Sequence, residues 1–193
     1  MPIVVMTKCY HRDGVERRLL DSQHRGMPID LLRARDIDEI VAAFAALGWP
    51  GKDRQQYERY VAEQDAGDRI ILVARQDGAF AGYLTVVWQA GYRPFREAGI
   101  PEVQDLNVLP RFRRRGIASA MMDLAEQYEG TRSRIAGIGV GLYADYGPAH
   151  LMYLRRGYRP DGRGVTYRGE TVPPGGAVRV DDDLALMMTK RLT

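Results

Sequence analysis

Arg111-Phe112-Arg113-Arg114-Arg115 stands directly before Gly116 and an amphipathic run. Guanidinium groups beside a glycine suit a multiply charged anion, because arginine stays protonated and glycine lets a ligand approach the main chain. Ile117, Met121, Leu124, Ala125 and Tyr128 then fall at i, i+4, i+7, i+8 and i+11, one face of a helix. The first turn of a helix carries N–H groups without intrahelical partners, and the macrodipole leaves that end partly positive. A pyrophosphate suits such a turn. The expected cradle is the main chain of Arg113, Arg114, Arg115, Gly116, Ile117 and Ala118, with Arg113 and Arg115 adding charge. No G-x-x-x-x-G-K-[ST] occurs, so this is not a Walker loop. A solvated basic loop and a nucleic-acid patch are the rival readings, and no aromatic-interleaved basic surface supports the second.

Other patterns carry less. Gly139-x-Gly141-x-x-Ala144 mimics a dinucleotide fingerprint but lies late in the chain, with only some fifty residues after it, so a nucleotide-binding domain cannot be built around it. Asp181, Asp182 and Asp183 are consecutive and read as a solvated turn, since neighbours in an extended chain do not converge on a metal. No His/Cys pair has metal-ligand spacing, and no metal is expected. Cys9 is the single cysteine and no G-x-S-x-G is present, so nothing points to a covalent acyl-enzyme.

The elements that must position the basic turn can be read around it. A strand is expected over 102–108, ended by Pro110, which cannot donate to a ladder. A helix follows from Gly116, with Gly130 as its stop. Upstream, a strand over 29–35 leads to a helix opened by a capping box, Asp36-x-x-Glu39, and closed by Gly48 and Pro50. A more polar helix covers 52–65, with Tyr57, Tyr60 and Val61 on one side. Asp77-Gly78 between apolar runs over 70–75 and 80–88 signals a hairpin. Residues 89–101 read as an irregular loop with exposed aromatics. Strands over 134–142, from 158 and over 184–190 surround a helix over 148–156.

At 193 residues the chain is most simply one domain. Residues 1–27 have little periodicity and read as an N-terminal extension, poorly ordered, or else an arm over the substrate or a second copy. Residues 28–193 form the domain. Hydrophobic content of 45% and charged content of 27% are ordinary for a soluble globular chain. Net charge +3 with pI near 9.1 favours an anionic ligand without singling out nucleic acid. No signal-like start or spanning run is seen, and one cysteine fits a reducing compartment, so a cytoplasmic location is expected.

Arg113-x-x-Gly116-x-Ala118, preceded by Leu106-x-Val108-x-Pro110, resembles the R/Q-x-x-G-x-G/A motif of the GNAT superfamily of acetyl-CoA-dependent N-acetyltransferases. The segment from Ala149 through Leu151, Met152 and Tyr153 to Gly157 and Tyr158 is similar to that family's later A-x-x-L-Y-x-x-x-G-F signature. The resemblance covers roughly residues 28–190. It implies an α/β (α+β) fold with a mixed, mostly antiparallel sheet of six or seven strands flanked by about four helices. It implies acetyl-CoA as donor, direct attack by a primary amine in a ternary complex, and a small-molecule amine rather than a protein as acceptor. No nucleic acid or membrane partner is implied, and a homodimer is left open.

The same resemblance implies roles for particular residues. Main-chain groups of Leu106 and Val108 would bond the pantetheine arm, one amide polarising the thioester carbonyl. Tyr153 matches the tyrosine that protonates the departing thiolate. Glu102, fourteen residues before Gly116, stands where some members carry a catalytic glutamate. Asp105 is the alternative base, and simple alternation would turn it to the opposite side of the strand. Tyr146 replaces an asparagine common in the family, and Asp145 beside it is a substitute cofactor contact. A GNAT-like domain that senses acyl-CoA without transfer is the rival from another class.

Overall fold

Asp77 and Gly78 both adopt positive φ, 53° and 80°, the backbone of a tight hairpin turn whose twist matches its strands. They join β2 (Arg69–Gln76) to β3 (Ala79–Val87), paired antiparallel along their length. The computed structural model that contains this hairpin describes residues 27–193. Cys9 and the expected extension, but for Met27, lie outside the described residues.

The elements run β1 (Ile29–Leu31), α1 (Ile37–Ala45), α2 (Arg54–Ala66), β2, β3, α3 (Arg93–Glu97), β4 (Glu102–Val108), α4 (Ile117–Gly130), β5 (Ile135–Gly141), α5 (Gly147–Arg155), β6 (Arg159–Tyr167), β7 (Glu170–Thr171) and β8 (Leu184–Arg191). One sheet holds all the strands in the order β1-β2-β3-β4-β5-β8-β6-β7. This is the mixed, mostly antiparallel architecture expected. The eight strands among the described residues exceed six or seven because β7 is only two residues long, and α3 is a fifth, five-residue helix.

Among the described strands only β4 and β5 pair in parallel, at Glu102↔Gly137 and Val103↔Ile138. Beyond Val103, β4 follows β3 and β5 follows β8, so the two central strands part and leave one edge of β4 uncovered. The core fills around this split. Met121, Met122, Leu124 and Ala125 of α4 are sealed, as are Phe44, Tyr57, Phe80 and Tyr83 near α1 and α2. The Phe44 ring stands 5.8 Å from both Phe80 and Tyr83, and Tyr57 stands 5.6 Å from Tyr83. Such aromatic pairs add about 0.5–1.5 kcal/mol beyond burial.

Several local expectations are corrected. Asp36 and Glu39 do not close a capping box over α1. Asp36 accepts from the Arg33 N–H and Arg75, and Glu39 from the Phe80 N–H and Arg75, tying the helix start to β2 and β3. Gly130 is the last residue of α4, not a left-handed stop, and the Thr131 hydroxyl donates to the Tyr128 carbonyl instead. Residues 89–101 hold α3, with Tyr92 and Phe95 buried rather than exposed. Asp181, Asp182 and Asp183, by contrast, form the turn expected of them, with Asp182 and Asp183 exposed, and accept from Tyr167, from Tyr143 and Tyr146, and from Arg168 respectively.

Candidate active site

The turn after β4 is built as the sequence led us to expect. Pro110 starts a short 3-10 turn, Pro110–Phe112, that buries Phe112. Arg114 has φ 62° and Gly116 φ 82°, while Arg115 between them keeps negative φ. Alternation of this kind turns successive N–H groups toward one concavity and makes a site for an anion. Among the described residues, the N–H groups of Arg114 through Ala118 donate to no protein acceptor, and the first main-chain donation into the helix is Ala120 to the Gly116 carbonyl at 2.9 Å. A side chain built on Gly116 would meet nothing within 4 Å, so the cradle opens outward. Arg113, Arg114 and Arg115 are exposed. Arg113 turns back, its Nε donating to the Val108 carbonyl at 3.1 Å.

The open edge of β4 leads into this turn. Leu109 donates its N–H to Ala81 of β3, so by strand alternation Val108 and Leu106 direct their main-chain groups away from β3, toward the split. Leu106 and Val108 therefore lie where a narrow, extended ligand could bond to backbone. One of the Val108 carbonyl's two acceptor positions is taken by Arg113.

Glu102 and Asp105 lie on the same strand in contrasting settings. Glu102 is buried, and burial pushes its carboxyl up to about 7 against weaker opposing pulls from Gln104 and Arg69. Gln104 Nε2 donates to it at 3.2 Å. At Asp105 burial would also raise the carboxyl, but the Lys52 ammonium and hydrogen bonds from Tyr60 and Lys52 outweigh it and hold it below the usual range. Lys52 Nζ and Gln56 Nε2 each donate to Asp105 at 3.0 Å, Tyr83 at 3.3 Å, and the Tyr60 hydroxyl makes a short bond.

The expected opposition of these two carboxylates is overturned. Asp105 and Leu106 together oppose the single residue Leu84 of β3, and Asp105 takes φ 50°. This bulge breaks alternation and brings Asp105 to the side of Gln104. Arg69 spans the gap there, donating to Gln104 at 3.3 Å and to Thr85 at 2.9 Å while lying 4.5 Å from the Tyr60 ring.

Tyr153 is buried on α5, its ring 6.0 Å from that of Tyr158. Burial raises its hydroxyl above the ordinary tyrosine value, so it carries its proton at neutral pH. That hydroxyl has no hydrogen-bond partner among the described residues and is not among the sealed unpartnered atoms, so it reaches solvent. Asp145 is exposed. Tyr146 is held away from a free role: its hydroxyl donates to Asp182 at 3.0 Å and its ring lies where a side chain on Gly141 would stand, 2.4 Å from that point.

Gly137, Gly139 and Gly141 are glycines because neighbouring side chains fill the space beside them. Added side chains would strike Phe95, Met187 and Tyr146 respectively, at 2.5, 3.2 and 2.4 Å. The glycines make room for neighbours crossing β5: all three lie within that strand, and α5 begins only at Gly147. Sequence reading missed Lys52, Gln56 and Tyr83 as partners of Asp105. The available signal was an aspartate inside a strand, a residue depleted there.

Among the described residues, no group of three or more His, Cys, Asp or Glu side chains could hold a metal, and no helix is long and apolar enough to cross a membrane. The family model for the acetyltransferase (GNAT) family matches residues 34–158. No curated protein sequence matches the chain. Among solved structures, a GNAT-family acetyltransferase from Desulfovibrio desulfuricans is similar at 13% identity and TM-score 0.66, over 86% of this chain and 99% of that one. The ribosomal-protein-alanine N-acetyltransferase of Brucella melitensis is similar at 17% identity and TM-score 0.60, over 85% and 99%. A spermidine N-acetyltransferase chimera from Vibrio cholerae and hSSAT is similar at 13% identity and TM-score 0.61, over 86% and 95%. At such identities the structures speak for the fold, and the family match over most of the described chain speaks for the rest. The chain belongs to the acetyltransferase (GNAT) family and is an acyltransferase.

Proposed function

We propose that the chain transfers an acetyl group from acetyl-CoA to a primary amine by direct attack in a ternary complex. The observation that carries this reading is the row of unpaired N–H groups from Arg114 to Ala118, opening outward at the end of an uncovered strand edge. Those donors, with the exposed Arg114 and Arg115 charges, would hold the diphosphate. Main-chain groups of Leu106 and Val108 would hold the pantetheine arm along β4. Bound there, acetyl-CoA supplies an activated thioester.

The protein's own groups then divide the proton work. Glu102 takes the proton that the amine loses as its nitrogen bonds the carbonyl carbon. The Leu106 N–H donates to the carbonyl oxygen while negative charge develops on it. Tyr153 gives its proton to the sulfur as the C–S bond breaks, so that acetamide and free thiol leave. A protonated tyrosine and a carboxyl near 7 are the right pair for such a transfer at neutral pH.

A small-molecule amine rather than a protein is taken as acceptor, in keeping with a proposed base, Glu102, that is only 7% exposed. The structural relatives include both kinds, a spermidine acetyltransferase and a ribosomal-protein-alanine acetyltransferase. The test is thermal stabilisation of the full chain by acetyl-CoA, then thiol release with spermidine and with an alanyl peptide. No stabilisation by acetyl-CoA overturns the proposal. Stabilisation without thiol release across an amine panel replaces it with the acyl-CoA sensor.

A further inference from the structure

Asp105 is too heavily engaged to serve as a base. Its carboxylate accepts from Lys52, Gln56, Tyr60 and Tyr83, which come from the α1–α2 connection, α2 and β3. Lys52 also donates to the Tyr83 hydroxyl at 2.9 Å, so the donors are tied to one another. Meanwhile the Asp105 backbone sits at φ 50°, a left-handed conformation that strains a residue with a Cβ. Asparagine and aspartate tolerate it best, and a bulge at this place normally uses glycine. Four donors converging on one strained residue over-determine its position.

What that position controls is its neighbour. Asp105 and Leu106 form the two-residue side of the bulge, and Leu106 is the residue whose main chain faces the split between β4 and β5. The Asn107 side chain donates to the Asp105 carbonyl at 2.9 Å, fixing the same peptide from the other end. We infer that Asp105 is a positioning residue: clamped by Lys52, Gln56, Tyr60 and Tyr83, it sets the direction of the Leu106 N–H at the open strand edge. The α1–α2 connection thereby governs how the acyl carbonyl is polarised, without touching it. This rests on the transferase reading above.

The test uses the full chain and acetyl-CoA carrying carbon-13 at the thioester carbonyl. In the wild type the infrared stretch of the bound carbonyl moves to lower frequency than in free acetyl-CoA. Asp105→Ala binds acetyl-CoA with Kd within about threefold of wild type, because the diphosphate turn is untouched, but loses most of that shift. Its kcat with the better of spermidine or an alanyl peptide falls by roughly tenfold to a hundredfold, as a misdirected group does. Tyr60→Phe removes one donor and keeps the ring, so it carries the same test should Asp105→Ala not fold. In Asp105→Asn combined with Lys52→Met, the acidic limb of kcat/KM stays near pH 7, where Glu102 titrates.

A wild-type carbonyl shift and kcat in both Asp105→Ala and Tyr60→Phe overturns the inference alone. Disappearance of the acidic limb in the double variant also overturns it, by making Asp105 the base. Wild-type protein that binds no acetyl-CoA overturns the transferase reading, and this inference with it.

Discussion

Glu102 and Gln104 meet two residues apart on β4, Gln104 Nε2 donating to Glu102 Oε2 at 3.2 Å. The other carboxylate oxygen lies 3.7 Å from where a side chain on Gly139 would begin, an ordinary van der Waals separation. Burial raises this carboxyl to about 7, with Gln104 the strongest pull the other way. A base works when deprotonated, so kcat/KM should rise with pH through about 7 and level off above it. Glu102→Gln should cost roughly a hundredfold or more and abolish that limb. Gln104→Leu, which removes the opposing pull, should move the limb to higher pH. A pH–rate profile in Glu102→Gln that overlays the wild type would remove Glu102 from the mechanism.

Tyr153 offers a cleaner substitution. Its ring is packed against Tyr158, yet its hydroxyl bonds nothing in the described protein. Tyr153→Phe therefore leaves the packing whole and should move the melting temperature little. As the proton source for the leaving sulfur, the hydroxyl should be worth roughly a hundredfold or more in kcat, with the acetyl-CoA Kd unchanged. Equal turnover in the two proteins would refute that role.

Gly116 tests the diphosphate turn. Valine there faces open space on the protein side but would crowd any ligand held by the neighbouring N–H groups. The left-handed φ of 82° makes the substitution strained, by about 1–2 kcal/mol. Gly116→Val should thus melt modestly lower and bind acetyl-CoA at least roughly tenfold more weakly, since diphosphate contacts are lost. Calorimetric titration giving wild-type affinity would show that the anion is held elsewhere.

How much of this was legible from residues alone depended on range. β4, the basic turn and α4 could be read because Pro110, Gly116 and the apolar spacing of Ile117, Met121 and Tyr128 act within a few residues. The antiparallel hairpin at Asp77-Gly78 was equally local. The side on which Asp105 lies was not legible, because the bulge depends on Leu84 of another strand and on donors as far off as Lys52. Asp36 and Glu39 misled for a related reason: a nearby guanidinium, Arg75, competes better for their oxygens than the helix's own N–H groups do. Gly139 and Gly141 looked like a ligand motif, yet their lack of side chains serves Met187 and Tyr146, from elsewhere in the chain.

Glu129 supplies a prediction about stability. It is 0% exposed near the end of α4, and among the described residues neither carboxylate oxygen has a well-formed hydrogen bond, the nearby Gly137 N–H being engaged by the Pro101 carbonyl at 3.0 Å. Burial first, then the Glu126 carboxylate, push its carboxyl well above the ordinary range, against weaker pulls from the Gly137 N–H and Lys190. A folded pKa above the unfolded one means stability that is complete below the unfolded value, near 4.5, and is lost as pH rises toward the folded value. Each unit of separation corresponds to about 1.4 kcal/mol. Glu129→Gln keeps the shape and cannot ionise, so its advantage over wild type should grow as pH rises above the unfolded value. Unfolding by urea at pH 5 and pH 8 measures this directly. Parallel losses of stability in the two proteins between those conditions would mean that Glu129 is already ionised in the folded chain, with its charge met by a group such as Lys190.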